Sequence, residues 1–383
     1  MSKKVLYLCP NAYLGGAERF VLDAIQGHKE YGTWQPHLLF FGQSGNALEE
    51  AKINKLPCSN LKTTFRLSNP FTLFKAVLEI RRFIKENDFD IYHAIMPYAH
   101  IVGALATLGL PIKKTWFQHG PVAGMLDTIA SFFYVNHLFF NSQSTKNQHK
   151  SSLLVREQDS SSLVPLGIKK RELCQMTLQK LKSTQVDRQI TLLSAGRICS
   201  WKGHERAIQA LAYLSEENPQ TIYKLWIVGD IGRDTDQAYK DSLIKLVEEL
   251  NLQESVIFHG HQQELPTYFR CCDLFLHTSL IPEPFGLVVA EAMINQCFVI
   301  GSNMGGVCDI LMHQKTGLSF DPIAPNASIL LCRQIITALK LREQRLDQFN
   351  VIKQQAYDHI TTNYNIKNMT NLLEQTYDEL TYD

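Results

Sequence analysis

The chain of 383 residues lacks a cysteine framework, a long apolar run and an excess of charge. Its nine cysteines are scattered, odd in number and without a C-x-x-C pair. Cys271 and Cys272 are adjacent, which suits neither an ordinary disulfide nor a zinc knuckle, so reduced thiols are the plain reading. The apolar run near the N-terminus is too short for the core of a signal peptide, and no stretch approaches a membrane-spanning length. A cytoplasmic location follows as an expectation. A formal charge of +1 excludes an electrostatically driven nucleic-acid binder. Internal repeats and low-complexity linkers are missing too. Core material is ample: 45% of residues are hydrophobic and 20% charged. The length exceeds what one core ordinarily supports, so two domains are expected.

Strand and helix patterns alternate almost throughout. Short apolar runs at 5–9, 36–41, 90–94, 115–118 and 138–140 read as strands, with helical patterns at 17–28 and 71–84. From 170 to 188 the chain turns polar, and the pattern then restarts. Strands are expected at 191–195, 223–228, 256–258, 274–277 and 298–300, and helices at 204–214, 237–250 and 286–294. This predicts an α/β protein of two Rossmann-like, doubly wound parallel-sheet domains facing a cleft, with ligands at the carboxyl ends of the strands. The domains are set at 1–168 and 188–359.

The motifs gather at those strand ends. Pro282 and Pro284 cannot donate to a strand ladder, so Glu283 lies in a loop. A helix opens near Gly286, and its first amides, around Phe285, Gly286 and Leu287, form an anion site. Glu291 lies one turn inside that helix. Phosphate at the amides and hydroxyls at the two carboxylates describe a nucleotide-sugar; the alternative is a helix end whose glutamates are solvated or capping. Gly196-Arg197 ends one strand, and Lys202-Gly203 precedes the next helix, so both cations can converge on one anion; the alternative is two solvated surface charges. Gly15-Gly16 separates the first strand from the first helix and frees helix-opening amides, without the G-x-G-x-x-G of a dinucleotide fingerprint. Gly229 and His259-Gly260 close two further strands. His119 follows an apolar strand and precedes Gly120-Pro121, a position fit for a cleft or for a histidine bonded to backbone carbonyls. Asp234-Thr235-Asp236 and Asp88-Phe89-Asp90 match a D-x-D metal pattern but read as solvated loop carboxylates.

Together these residues resemble the retaining, GT-B-fold glycosyltransferases of family 4, through E-P-F-G-L-x-x-x-E, G-G-A-E, G-R-x4-K-G and G-G-x-x-E, the last with Asp309 in place of Glu. The resemblance implies a retaining glycosyltransferase that uses a nucleoside-diphosphate sugar, with UDP-sugar favoured over GDP-mannose. Its acceptor would be a hydroxyl of a glycan or lipid-linked molecule in cell-envelope or surface polysaccharide synthesis, with no cofactor and no metal. Arg197 and Lys202 would hold the diphosphate, Glu283 the sugar hydroxyls, Glu291 the ribose and His119 the transferred sugar. Gly15 and Gly16 would face donor phosphate and acceptor, Gly229 the donor, and the backbone of His259-Gly260 the base. It further implies that 139–150 and the terminal helices cross between domains, 360–383 returning to the first. Val164-Pro165-Leu166-Gly167-Ile168-Lys169 departs from the family's P-N-G-V-D, putting hinge contacts in doubt. Two alternatives stay open: a nucleotide-sugar epimerase of the same fold, and a non-catalytic scaffolding subunit. The helix at 71–85 carries Phe71, Phe74, Val77, Leu78, Ile80 and Ile84 with Lys75, Arg81, Arg82 and Lys85. It can rest peripherally on an anionic membrane, or pack on its own domain with its cations solvated.

Overall fold

The computed structural model describes residues 3–122, 124–152, 160–183 and 189–382. The chain divides into two compact units, one of Met1–Lys169 with Asn363–Asp383 and one of Lys170–Thr362.

In the first unit the strands are β1 (Lys4–Cys9), β2 (Gln35–Phe40), β3 (Cys58–Asn60), β4 (Ile91–Ile95), β5 (Lys113–Gln118), β6 (His137–Phe140) and β7 (Ser161–Leu163). They form a parallel sheet in the order β3-β2-β1-β4-β5-β6-β7. β1 and β4 are apolar along nearly their whole length because helices cover both faces of a parallel sheet. Val5 pairs with Pro36 on one side and Ile91 on the other, so the order reverses between β1 and β4, the place where doubly wound sheets bind ligands.

The C-terminal helix Ile366–Thr381 belongs to this unit and packs on the helix Gly16–Tyr31. Close approach is possible because Gly27 lacks a side chain: a Cβ there would lie 2.2 Å from Thr370 Oγ1. Burial of Glu374 is compensated by His28 Nδ1 at 2.6 Å and by the amides of Thr33 and Trp34 at 2.8 and 3.2 Å. From His28 a buried chain of hydrogen bonds runs through Tyr7 (2.7 Å) and Tyr377 (3.0 Å) to His93 (2.7 Å). The unusual 164–169 segment is anchored to the same terminal stretch: Ile168 N donates to Tyr364 O at 2.6 Å, and Leu166 is buried. The segment is thus tied to the terminal stretch of its own unit.

The helix Pro70–Asn87 is capped by Asn69, whose side chain accepts from the amides of Phe71 and Thr72. Ala76, Ile80 and Ile84 are buried against the core of β1, β2 and β4, whereas Phe71, Phe74 and Leu78 are exposed. Arg81 departs from the expected membrane-facing set: its guanidinium donates to the carbonyls of Ala106 (3.0 Å) and Leu108 (2.7 Å). It caps the end of the helix Pro97–Ala106.

The second unit contains β8 (Gln189–Ala195), β9 (Ile222–Val228), β10 (Val256–Gly260), β11 (Leu274–His277), β12 (Phe298–Ser302) and β13 (Leu318–Phe320). Their parallel order is β10-β9-β8-β11-β12-β13, the same winding, with its reversal between β8 and β11. The core is built from Leu192, Leu225, Leu274 and Ile300 of the sheet against Ile208 and Leu211 of the helix His204–Glu217 and Leu331 and Ile335 of the helix Ala327–Gln344.

Two expectations change. Residues 139–150 do not cross between domains: they form the end of β6 and the helix Gln143–Ser151, inside the first unit. The polar stretch 170–188, left outside both expected domains, carries the helix Gln175–Ser183, packed on the helix Leu265–Cys271 of the second unit. The expected start of the second domain, residue 188, lies outside the described residues. The edge strands β3, β7 and β13 escaped the sequence reading because three residues are too few to display an alternation.

Candidate active site

The site residues expected from sequence fall in both units and are described within each. In the second unit, β8 ends at Ala195 and the chain turns through Gly196-Arg197 before the short turn Ser200–Lys202. Backbone bonds tie this turn to its neighbours: Gly196 N donates to Val228 O, Ile198 N to Asp230 O and Gly229 N to Gly260 O, at 2.8–2.9 Å. Gly229 is required here, because its φ is 144° and a Cβ would lie 1.8 Å from Gly196 O. His204 completes the support. Its Nε2–H donates to Arg197 O at 3.2 Å and its Nδ1 shares a 2.9 Å bond with Ser194 Oγ, and burial holds its pKa down at about 4, so the ring is neutral. Sequence reading missed His204, which no motif marks.

Glu283 comes to this turn from the loop after β11. The residue is 8% exposed, and its carboxylate lies 2.6 Å from Lys202 Nζ and 2.8 Å from His277 Nε2; the Ser279 hydroxyl donates to it as well. Burial alone would raise this carboxyl, but Lys202 and His277 outweigh it and hold Glu283 well below the usual carboxylate range. The charge is therefore permanent near neutrality. Lys202 also lies over the Trp201 ring at 4.6 Å. Arg197 is exposed, its stem lying against Gly232, and among the described residues its guanidinium meets no acidic partner. Arg197 and Lys202 thus share one turn but differ in engagement: one is open to an incoming anion, the other already paired.

The loop holding Glu283 is pressed into shape by Gly305-Gly306. Gly306 N donates to Glu283 O at 2.7 Å, and a Cβ on Gly305 would fall 2.4 Å from that same carbonyl oxygen. Asp309 sits in the following helix Val307–Ile310, where its carbonyl accepts from His359 Nε2 at 3.3 Å. The helix Leu287–Ile294 begins after Gly286, with no side-chain cap among the described residues. Phe285 beside it is buried, Leu287 half-buried, and Glu291, half-buried, projects from one turn further on. On β10, His259 packs edge-on against Trp226 and Tyr268. The remaining acidic pattern is unremarkable in place: Asp234 is exposed, and Asp90 accepts from Lys4 N at 2.8 Å.

In the first unit, His119 directly follows β5. Its ring stacks on Phe117 at 4.2 Å and packs against Phe20 at 4.4 Å, with Nε2 unpaired among the described residues. Burial pushes its pKa down to about 3, so the ring is neutral near pH 7. Gly15 and Gly16 stand where the first helix begins. Gly15 caps the helix at φ −132°, an ordinary extended conformation, and the carboxylate of Glu18 lies against it, 2.8 Å from where a Cβ would sit. Burial raises the Glu18 pKa, although hydrogen bonds to its own amide, Asn11 and Gly15 oppose that. The amides of Gly15 and Glu18 therefore already have a carboxyl partner, and it is the protein's own.

Comparison with known proteins decides the family. Residues 14–169 match the family described as Glycosyltransferase Family 4, and residues 176–355 match Glycosyl transferases group 1. The chain belongs to the family 4 glycosyltransferases of GT-B fold. This glycosyltransferase is 25% identical over 381 residues to the mouse alpha-1,3/1,6-mannosyltransferase ALG2, covering 84% of this chain and 85% of that one. It is 33% identical over 153 residues to a Campylobacter jejuni N-acetylgalactosamine-N,N'-diacetylbacillosaminyl-diphospho-undecaprenol 4-alpha-N-acetylgalactosaminyltransferase, covering 40% and 39%. Among solved structures, HepE of Anabaena in complex with UDP and glucose superposes with a TM-score of 0.82 at 20% identity, covering 98% of this chain and 99% of that one. Other curated relatives are matched over only 29–44% of their own length. Set on this family's framework, Arg197, Lys202 and Glu283 of the glycosyltransferase stand where its sheet order reverses, between β8 and β11.

Proposed function

We propose that the chain is a retaining glycosyltransferase that moves a sugar from a nucleoside-diphosphate sugar, a UDP-sugar in preference to GDP-mannose, to a hydroxyl of a glycan or lipid-linked acceptor in cell-envelope or surface polysaccharide synthesis. The observation that carries this reading is the buried Lys202–Glu283 pair beside the exposed Arg197 at the reversal of the second sheet. A cation free to meet phosphate, a second at hand and a permanently charged carboxylate for hydroxyls fit a sugar diphosphate. The relatives' names agree: one acts on a diphospho-undecaprenol-linked sugar, and HepE was crystallised with UDP and glucose.

In the proposed reaction the bond from the anomeric carbon to phosphate breaks and the acceptor oxygen bonds to that carbon from the same face. The departing phosphate takes the acceptor's proton. Arg197, Lys202 and the amides of Phe285, Gly286 and Leu287 stabilise the charge that develops on the diphosphate, in positions set before the reaction begins. Glu283 holds sugar hydroxyls and Glu291 the ribose, Gly229 and His259-Gly260 line the nucleotide, and His119 donates a hydrogen bond to the transferred sugar. No cofactor or metal is invoked. Incubation with UDP- and GDP-sugars, with and without lipid-linked acceptors, tests the reading, and the product's anomeric configuration follows from the proton coupling at its anomeric carbon. Inverted products would end the retaining assignment; a donor epimerised without transfer would make the chain an epimerase.

A further inference from the structure

Three donors converge on one oxygen of Glu283. Lys202 Nζ lies 2.6 Å and His277 Nε2 2.8 Å from Oε1, and the Ser279 hydroxyl donates to the same atom. None of them reaches Oε2, which is left as an acceptor on the opposite side of the carboxylate. The donors differ in their anchorage. Lys202 extends from the turn after β8 on a flexible stem and lies beside Gly196 and Trp201. His277 ends β11 and Ser279 follows it, both buried, at 4% and 1% exposure. Behind them the hydroxyl of Ser302, at the end of β12, donates to Ser279 O at 2.8 Å and to His277 O at 3.3 Å. The backbone bearing His277 and Ser279 is therefore held by the adjacent strand, whereas Lys202 reaches Glu283 on a long side chain.

A lysine that neutralises both a carboxylate and a diphosphate serves neither fully. Resting on the donor-site reading above, we infer that His277 and Ser279 are positioning residues for Glu283. They hold its carboxylate when Lys202 turns to the diphosphate, and they leave Oε2 aimed at the sugar hydroxyls. They touch neither nucleotide nor sugar.

The test compares wild type with His277→Leu, His277→Gln, Ser279→Ala and Glu283→Gln. Release of UDP or GDP is followed from UDP-glucose, UDP-galactose, UDP-N-acetylglucosamine and GDP-mannose, and UDP and GDP alone are titrated calorimetrically. His277→Leu is expected to lower kcat about 10–100-fold, the scale of one hydrogen bond to a charged group. Affinity for the free nucleotide stays within about threefold, because the lost contact belongs to the sugar side. His277→Gln, which keeps an N–H donor, restores most of the loss. Ser279→Ala shows a smaller loss of the same kind and carries the test if His277→Leu does not fold. Wild-type turnover by both His277→Leu and Ser279→Ala, with Glu283→Gln slowed, overturns the inference and leaves the donor site standing. So does a His277→Gln variant no better than His277→Leu, or an equal loss of nucleotide affinity. If Glu283→Gln turns over like wild type, or wild type releases nucleotide from none of the four donors, the donor-site reading falls and takes this inference with it.

Discussion

Arg197 and Lys202 carry the same charge in the same turn and differ in what each supports. On the proposed reading, either change to alanine removes a cation that stabilises the leaving diphosphate, with an expected rate loss of roughly 10²–10³. Their effects on stability should separate them. Arg197 is exposed, so Arg197→Ala should leave the melting temperature nearly unchanged. Lys202→Ala strips a buried carboxylate of its strongest partner and should lower the melting temperature by several degrees. Equal melting temperatures for the two variants would show that the Lys202–Glu283 pair contributes nothing to the fold. The two cations were legible in the sequence as a spacing. Which of them is already engaged was not, because Glu283 lies 81 residues from Lys202.

Elements show the same division. The helix Leu287–Ile294 and every strand but β3, β7 and β13 were readable from apolar period and turn residues, which are local properties. The tight apposition of the turns after β8 and β9 was not. Gly229→Ala puts a methyl group into Gly196 O, and either turn must shift. The expected cost is roughly 1–3 kcal/mol of stability together with weakened nucleotide affinity, measurable by urea unfolding and by UDP titration. An alanine variant with wild-type affinity would mean that the turn after β8 does not shape the nucleotide site. The helix Pro70–Asn87 is the element we propose for peripheral membrane contact, now through a narrower face. Phe71, Phe74 and Leu78 are exposed, and Lys75, Arg82 and Lys85 are exposed beside them, while Arg81 is occupied with carbonyls. Co-sedimentation with anionic vesicles should exceed that with neutral ones and should fall severalfold in Phe71→Ser/Phe74→Ser. Equal recovery of wild type and variant with anionic vesicles would rule this face out.

At the scale of the whole molecule, buried neutral histidines are unequally shared. His93, His100 and His119 lie in the first unit, with burial pushing His100 to about 4, His119 to about 3 and His93 well below the ordinary value; His204, at about 4, lies in the second. An unfolded chain protonates these rings near pH 6.5, whereas the folded one resists until far lower pH. Between those limits the unfolded state holds more protons, so stability falls as pH falls, by up to about 1.4 kcal/mol per pH unit for each ring. The depressed carboxylates Glu283 and Glu374 act in the same direction in a lower window: their stabilisation is full above the ordinary carboxylate pKa and is lost as pH drops through the folded value. Hydrogen exchange at pH 7 and pH 5, corrected for intrinsic rate, should show protection lost more steeply in β1, β4 and β5 than in β8 and β11. Parallel losses in the two units would refute this account.

By itself the sequence determined two doubly wound sheets, the positions of their main strands and the strand ends for which we propose the donor site. Those features follow from apolar period, from proline and glycine at turns and from the missing partners of helix-opening amides, all of which act within a few residues. Only the tertiary structure decided that Glu18 fills the first helix end, that His277 and Ser279 stand behind Glu283, and that the terminal helix docks through Glu374 on His28, 346 residues away. Such contacts are chosen by burial: a charge taken out of water must find a partner wherever the fold supplies one, and nothing in the local sequence names it.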